Sequence, residues 1–321
     1  MFAELPKLFD RNFAIGFFLP FALAAAAGLY LLDTYGLSGF IPPAWREELV
    51  TGGAIFGLFS WLGGILLLVT NRDLYRILEG YGRVNPLRFF AWLERAYYHR
   101  LNDKLRKLDD EFRAHVAAGI PFPEGKRAGR DRLMVDRSER FPDRESLILP
   151  TPFGNILRAF ESYPRVMYGL ESIDGWSRLL AVVPVDYRNL IDGAKANVDL
   201  WVNLAYLSLI LLVGELGLWG IYGVMPPPWL LAITALVLVI TPWRARRLAV
   251  EWGDYVKGAF DLYRFNLLDL LSIRRPRTRQ EEFQIWESFS QAIVYRLPKR
   301  LPELRQPARN LPASRNNRNT A

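Results

Sequence analysis

Residues 200–243 read LWVNLAYLSLILLVGELGLWGIYGVMPPPWLLAITALVLVITPW, a stretch of 44 residues whose only charge is Glu215. A helix needs about 20 apolar residues to cross a hydrocarbon core roughly 30 Å thick, so this stretch is long enough to cross twice. Pro226, Pro227 and Pro228 stand between its halves, and a run of prolines supplies no backbone donors and clashes with the preceding helical turn. The reading is a hairpin: a third span over 200–223, an outer proline turn over 224–228, and a fourth span over 229–243 with some extension. The fourth span is short, about 22 Å by helical rise, but Pro228 can open it, and Arg244 and Arg246 can reach from its end to the headgroups.

Working outward, two further runs have membrane length. From Phe13 to Leu32 there are 20 consecutive uncharged residues, and from Leu49 to Asn71 there are 23. They predict a first span over 13–32 and a second over 50–70, joined by an outer loop over 33–49. The averages conceal this, because 51% hydrophobic residues and a mean hydropathy of +0.04 would suit two soluble domains. The clumping excludes an ordinary soluble enzyme and a disordered chain. The absence of cysteine excludes only disulfides, thiolate metal sites and cysteine nucleophiles.

The basic residues orient the spans. Lys7 and Arg11 precede the first span, residues 72–199 hold 22 Lys and Arg, and residues 244–321 hold 16. The outer loop has Arg46 alone, against Asp33, Glu47 and Glu48, and the proline turn has no charge. By the positive-inside rule both termini and the large central segment are expected in the cytoplasm, in a bacterial inner (plasma) membrane. Trp45, Trp219, Tyr222 and Trp229 near the outer boundary, and Trp201 and Trp243 near the inner one, fit aromatic belts. Lys7, Arg11, an apolar run and Ala22-Leu23-Ala24 also fit a cleavable signal peptide. The apolar run continues to Leu32, past the usual length, which favours an uncleaved span.

The expected fold is all-α, four spans in two hairpins with a helical cytoplasmic domain continuous with the third and fourth spans. Residues 71–199 form the larger part of that domain. Leu87, Phe90, Leu93, Tyr97, Leu101, Leu105 and Leu108 recur at steps of three and four, predicting an amphipathic helix of about seven turns opened by Asn85-Pro86. Residues 120–146, rich in charge, proline and glycine, read as a mobile linker with too little apolar surface to offset ordering. Thr151-Pro152 reads as an N-cap followed by proline at the first helical position, with a turn at Tyr163-Pro164. A short helix follows, with Ile173, Trp176, Leu179 and Leu180 inward. Pro184 starts a helix that can run into the third span, and the fourth can continue through Leu248, Trp252, Val256, Phe260 and Tyr263. Residues 244–296 end in a helix over about 280–295, and 297–321 form a basic disordered tail.

The stretch Pro150-Thr151-Pro152-Phe153-Gly154-Asn155-Ile156-Leu157-Arg158-Ala159 resembles the Pro-Thr-x-x-Gly-Asn-x-x-Arg-Ala motif of a family of bacterial multi-span membrane proteins with no settled activity. Glu161, Tyr168-Gly169 and Trp176-Ser177-Arg178-Leu179 follow at the spacing of that family, with Ser177 where proline is expected. A later likeness covers Ala259 to Phe265, and a weaker one covers Arg11 to Gly16. The resemblance implies the architecture and transfers no catalytic residue.

Glu215 is the first candidate for function, because an ionisable group inside a span is costly and commonly marks a proton, ion or partner site. It lies about 22 Å along its helix from Leu200, in the outer half, sharing a face with Ser208. The alternative is a neutral carboxyl near the outer headgroups, bonded to Thr234 or Ser60. Gly53, Gly57, Ser60 and Gly64 form a stripe of small residues on the second span, with Ala24 and Gly28 as a matching surface on the first. Such stripes let helices approach closely, within one subunit or between subunits.

Catalysis has little support. His99 and His115 are the only histidines, Glu111 and His115 read as a surface pair, and no phosphate loop, nucleophile elbow or zinc motif is present. No cofactor and no metal is expected. The tail's six basic residues against Glu303 fit an anionic leaflet and give no reason to expect nucleic acid. The expected function is that of a non-enzymatic, oligomeric membrane protein with a cytoplasmic sensing or assembly domain, a regulated pore or membrane-disrupting effector. The alternative is a scaffold that anchors a cytoplasmic protein partner without conduction. The expected partners are the lipid bilayer, further copies of the chain and such a protein.

Overall fold

A computed structural model describes residues 10–40, 49–83 and 85–304, apart from the side chains of Ser38, Phe40 and Leu49. The expectations for Lys7, for Trp45 and Arg46 in the outer loop, and for the tail beyond Leu304 lie outside the described residues. Among the described residues the chain is all-helical, with one isolated bridge between Ile273 and Leu304 and no strand. The helices are α1 (Arg11–Thr34), α2 (Leu49–Glu79), α3 (Ala91–Ala117), α4 (Glu124–Arg140), α5 (Pro152–Tyr168), α6 (Ser172–Leu179), α7 (Val185–Tyr222), α8 (Pro228–Leu270) and α9 (Arg279–Val294). Four of them, α1, α2, α7 and α8, are long and apolar enough to cross a membrane. The chain divides into two compact units, 1–163 with 184–258, and 164–183 with 259–321.

In the first unit α1 packs against both α2 and α7. Phe13, Phe17 and Leu67 are buried together, with Phe18, Phe21, Trp61, Ile65, Leu74 and Leu207 around them. Glycine makes this approach possible: the ring of Phe21 occupies the space a Cβ on Gly63 would fill, and a Cβ on Gly64 would lie 3.1 Å from Phe13 Cζ. α7 ends at Gly223 in the left-handed conformation, φ +69°, with its N–H on the carbonyl of Trp219 at 2.8 Å, as a glycine cap does. Tyr30 packs on Trp229 at 5.1 Å and Tyr35 on Tyr222 at 5.6 Å, and Tyr35 Oη donates to Val224 O at 2.6 Å.

α8 runs unbroken through Pro242. That proline has no N–H for the carbonyl four residues back, and Thr241 Oγ1 donates to that carbonyl, Leu238 O, at 3.3 Å. A side-chain donor thus restores part of the bonding that the proline removes. α5 likewise continues through Pro164 to Tyr168, where the sequence suggests a turn.

The largest departure from expectation is at 120–146, read as a mobile linker. Residues Glu124–Arg140 are α4, and the cause is charge rather than apolar surface. Arg130 pairs with Asp109 at 2.5 Å and covers the ring of Phe112 at 4.9 Å, and Lys126 pairs with Glu111 at 2.8 Å. Arg137 stacks on Tyr98 at 5.5 Å. Beyond α4, Phe141 and Ile148 join Tyr98 and Leu101 in a small core. α3 is opened by a 3-10 turn at Pro86–Phe90, where Asn85 accepts from Leu87 N at 2.9 Å.

The second unit is built from α6, α9 and the end of α8. Leu179, Phe260, Leu267, Leu268 and Trp286 are wholly buried there. Trp176 lies on Phe260 at 5.8 Å. Ile173, expected inward, is 70% exposed, because the buried face of this short helix runs through Ser172, Gly175 and Leu179.

Candidate functional site

The most concentrated buried chemistry lies where α2 leaves its apolar run. Asn71 and Tyr75 sit one turn apart just beyond Thr70, and Lys195, Asp199 and Asn203 sit one turn apart where α7 enters its own apolar run. The two faces meet at Asp199, whose side chain is 4% exposed. Its Oδ1 accepts from Tyr75 Oη at 2.7 Å, from Asn71 Nδ2 at 3.1 Å and from Lys195 Nζ at 3.0 Å, and its Oδ2 accepts from Lys195 Nζ at 2.8 Å. A buried charge persists only when paired and hydrogen-bonded, and Asp199 meets both conditions. Lys195 also faces the rings of Tyr75 at 5.4 Å and Trp252 at 6.0 Å.

A third helix completes this site. Residues Ala14–Phe18 of α1 form a π turn, an irregularity that recurs at functional sites. It presents Gly16, whose carbonyl accepts from Asn203 Nδ2 at 2.8 Å and whose missing side chain leaves room for Asp199: a Cβ there would lie 3.2 Å from Asp199 Cβ. Asn71 Oδ1 and Asn203 Oδ1 are buried without a hydrogen-bond partner among the described residues. The arrangement can lock three apolar helices together and hold charge at the end of their apolar segments.

Glu215 is wholly buried, and its Oε1 accepts from Thr234 Oγ1 at 3.0 Å. Its Oε2 and Ser60 Oγ have no partner among the described residues. Ser208 is buried too. The small-residue stripe on α2 divides: Gly64 meets Phe13 and Phe18 closely, whereas Gly53 and Gly57, like Gly28 on α1, have nothing within 4 Å of an added Cβ, and Ala24 is half-buried.

The motif residues fall into two groups. In the first unit Thr151 Oγ1 accepts from Gly154 N at 3.0 Å, capping α5, and donates to Leu78 O of α2 at 2.6 Å. A Cβ on Gly154 would lie 2.9 Å from Glu79 Cα, and one on Gly80 would strike Pro150 at 2.7 Å. Asn155 is wholly buried and fully engaged, accepting from Leu149 N at 2.6 Å and donating to Leu149 O at 3.0 Å and Glu94 Oε2 at 2.9 Å. Arg158 bonds Tyr81 Oη and pairs with Glu161 at 3.4 Å. These residues seat the start of α5 on the end of α2. In the second unit Tyr168 Oη donates to Asp261 at 2.6 Å under the guanidinium of Arg264, 4.2 Å away, and Arg178 bonds Asp174 O. Gly169 has φ +82°, and a Cβ there would lie 2.7 Å from Phe283 O, so glycine is required.

Lys195, Asp199, Asn71 and Tyr75 carry no motif, and only their one-turn spacing at two span ends marks them in the sequence. His99 pairs with Glu145 at 3.0 Å and His115 Nδ1 contacts Glu111 O at 2.8 Å, both on the surface. Among the described residues no three His, Asp or Glu converge as a metal site. No family model matches the chain, and comparisons with curated proteins and with solved structures find no match either.

Proposed function

We propose that the protein is a non-enzymatic, oligomeric component of a bacterial inner membrane, with both termini and the non-spanning helices in the cytoplasm, in which those helices control how the spans pack. The observation that carries this reading is the continuity of α7 and α8, which run 38 and 43 residues from charged segments through apolar ones. A continuous helix transmits a tilt or rotation along its length, and Asp199 of α7, accepting from Asn71 and Tyr75 of α2, ties the two helices where both leave their apolar runs. The seat of α5 on the end of α2 gives the cytoplasmic part a second hold on the spans. Open space at Gly53 and Gly57 favours association of copies through α2. The resemblance at Pro150 to Arg158 points the same way.

On this reading the protein is a regulated pore or membrane-disrupting effector. Purified protein reconstituted in liposomes is expected to pass ions in its oligomeric form. No flux in any oligomeric or ligand condition refutes the pore. A scaffold that holds a cytoplasmic partner is favoured by one specific feature, the exposure of Phe89 at 80% and Trp92 at 67% in and beside the turn that opens α3. Exposed aromatic surface of this kind marks a contact site.

A further inference from the structure

A cavity of about 630 Å³ opens beside α8 just beyond Trp243. One wall is α8, contributing Trp243, Arg246 and Arg247; the other comes from α3 and α4, contributing Glu94 and Glu139 with the Asp136–Arg140 pair. The charges are sorted by wall. Asp136 and Arg140 neutralise one another at 2.6 Å. Arg246 Nε donates to Pro242 O at 3.1 Å, Arg247 stacks on Trp243 at 4.0 Å, and neither is in an ion pair among the described residues. Glu94 is held by the Asn155 amide, and Glu139 is in no ion pair among the described residues. Two guanidinium groups and two carboxyls, none of them in an ion pair among the described residues, thus line opposite walls of one half-buried space.

The cavity has the depth of a headgroup layer. With the inner boundary at Trp243, Arg246 and Arg247 lie about 4.5 and 6 Å further along the helix by its rise, within a layer roughly 5–8 Å thick on each side of the core. Phe89, Phe90 and Trp92, on the turns just before Glu94, are exposed at 80%, 51% and 67%, as aromatic residues at a leaflet surface are.

We propose that this cavity binds the headgroup of a zwitterionic phospholipid carrying a primary ammonium, the phosphate lying on Arg246 and Arg247 and the ammonium on Glu94 and Glu139. The inference rests on the membrane reading above and on its placement of Trp243 at the inner boundary. Guanidinium groups suit phosphate through paired N–H donors, and an ammonium supplies three donors to carboxylates, where a quaternary choline supplies none. Burial pushes the carboxyls of Glu94 and Glu139 above their ordinary range, with Asn155 and Arg246 opposing it at Glu94, and at Glu139 with Asp254 and Asp136 adding to it while Lys257 and Arg140 oppose it. A cation between them relieves that penalty.

The test uses the full-length protein in detergent micelles, titrated with single-chain lipids bearing phosphoethanolamine, phosphocholine or phosphoglycerol, and separately with inorganic phosphate, while thermal unfolding is followed. The ethanolamine lipid is expected to stabilise saturably, with half-saturation about tenfold lower than the choline lipid, the factor one charged hydrogen bond supplies. The R246Q/R247Q double variant is expected to lose the stabilisation, and Glu139→Gln to lose the preference over choline. Equal effects of all three lipids, preference for phosphoglycerol, full stabilisation by inorganic phosphate alone, or unchanged discrimination in Glu139→Gln each overturn the proposal. Helix content by circular dichroism is checked first; if the double variant does not fold, the headgroup ranking and Glu139→Gln decide. A protein that needs detergent for extraction yet ranks no headgroup overturns this inference and leaves the membrane reading standing.

Discussion

Replacing Lys195 by Met strips Asp199 of its counter-charge while keeping the length of the stem. Removing one partner of a buried ion pair costs about 3–5 kcal/mol, because the other charge is left uncompensated. Two features reduce that here. Tyr75 and Asn71 still donate to Asp199 at 2.7 and 3.1 Å, and the Lys195 side chain is 37% exposed against 4% for Asp199, so water already shares its charge. The expected cost is therefore about 2–3 kcal/mol, the buried-pair value discounted for screening. Asp199→Asn leaves the amine at an edge where solvent reaches it and costs less, about 1–1.5 kcal/mol for the lost charged bonds. The double variant removes both charges and is expected to be more stable than Lys195→Met alone, a coupling of about 1–2 kcal/mol. Reversible unfolding in mixed micelles, followed by helical circular dichroism, measures all four corners of the cycle. A Lys195→Met variant within about 0.5 kcal/mol of the parent, or a double variant as costly as the sum of the singles, refutes the buried-pair reasoning.

Gly154→Ala is expected to destabilise by about 1–3 kcal/mol, since the added methyl meets backbone atoms of Glu79 that cannot yield. Gly57→Ala, in open space, should stay within about 0.5 kcal/mol when unfolding is measured at dilution, and a large loss there would mean that the face is packed within one chain. Burial raises the Glu161 carboxyl above its ordinary value against the opposing charge of Arg158, so the folded chain binds that proton more tightly than the unfolded one. Its stabilisation is complete below the unfolded pKa of about 4.3 and is lost as pH rises through the raised value; Glu161→Gln should flatten stability against pH in that window, and an unchanged slope in thermal unfolding would refute it.

Much of the helix inventory is legible along the chain. Uncharged runs of span length locate the four apolar helices, the Thr151 cap and Pro152 locate the start of α5, and Pro184 and Pro228 locate the starts of α7 and α8. α4 is the instructive failure. Its sequence carries no apolar stripe long enough to announce a packed helix, and it folds because Arg130, Lys126 and Arg137 find carboxylates and rings on α3. The site at Asp199 is hidden for a similar reason. Asp199 and Asn71 are 128 residues apart, and each alone reads as an ordinary polar residue at the end of a span.

The sequence by itself determines that the chain is helical and which four segments are apolar enough to cross a bilayer, because transfer out of water is additive over neighbouring residues and is summed directly along a run. The tertiary structure alone decides which polar groups are buried and with whom. Glu215 meets Thr234, Asp199 meets Asn71 and Tyr75, and Arg246 lines one cavity with Glu94. Those energies depend on the distance between groups carried by different helices, and only the packing of those helices sets the distances.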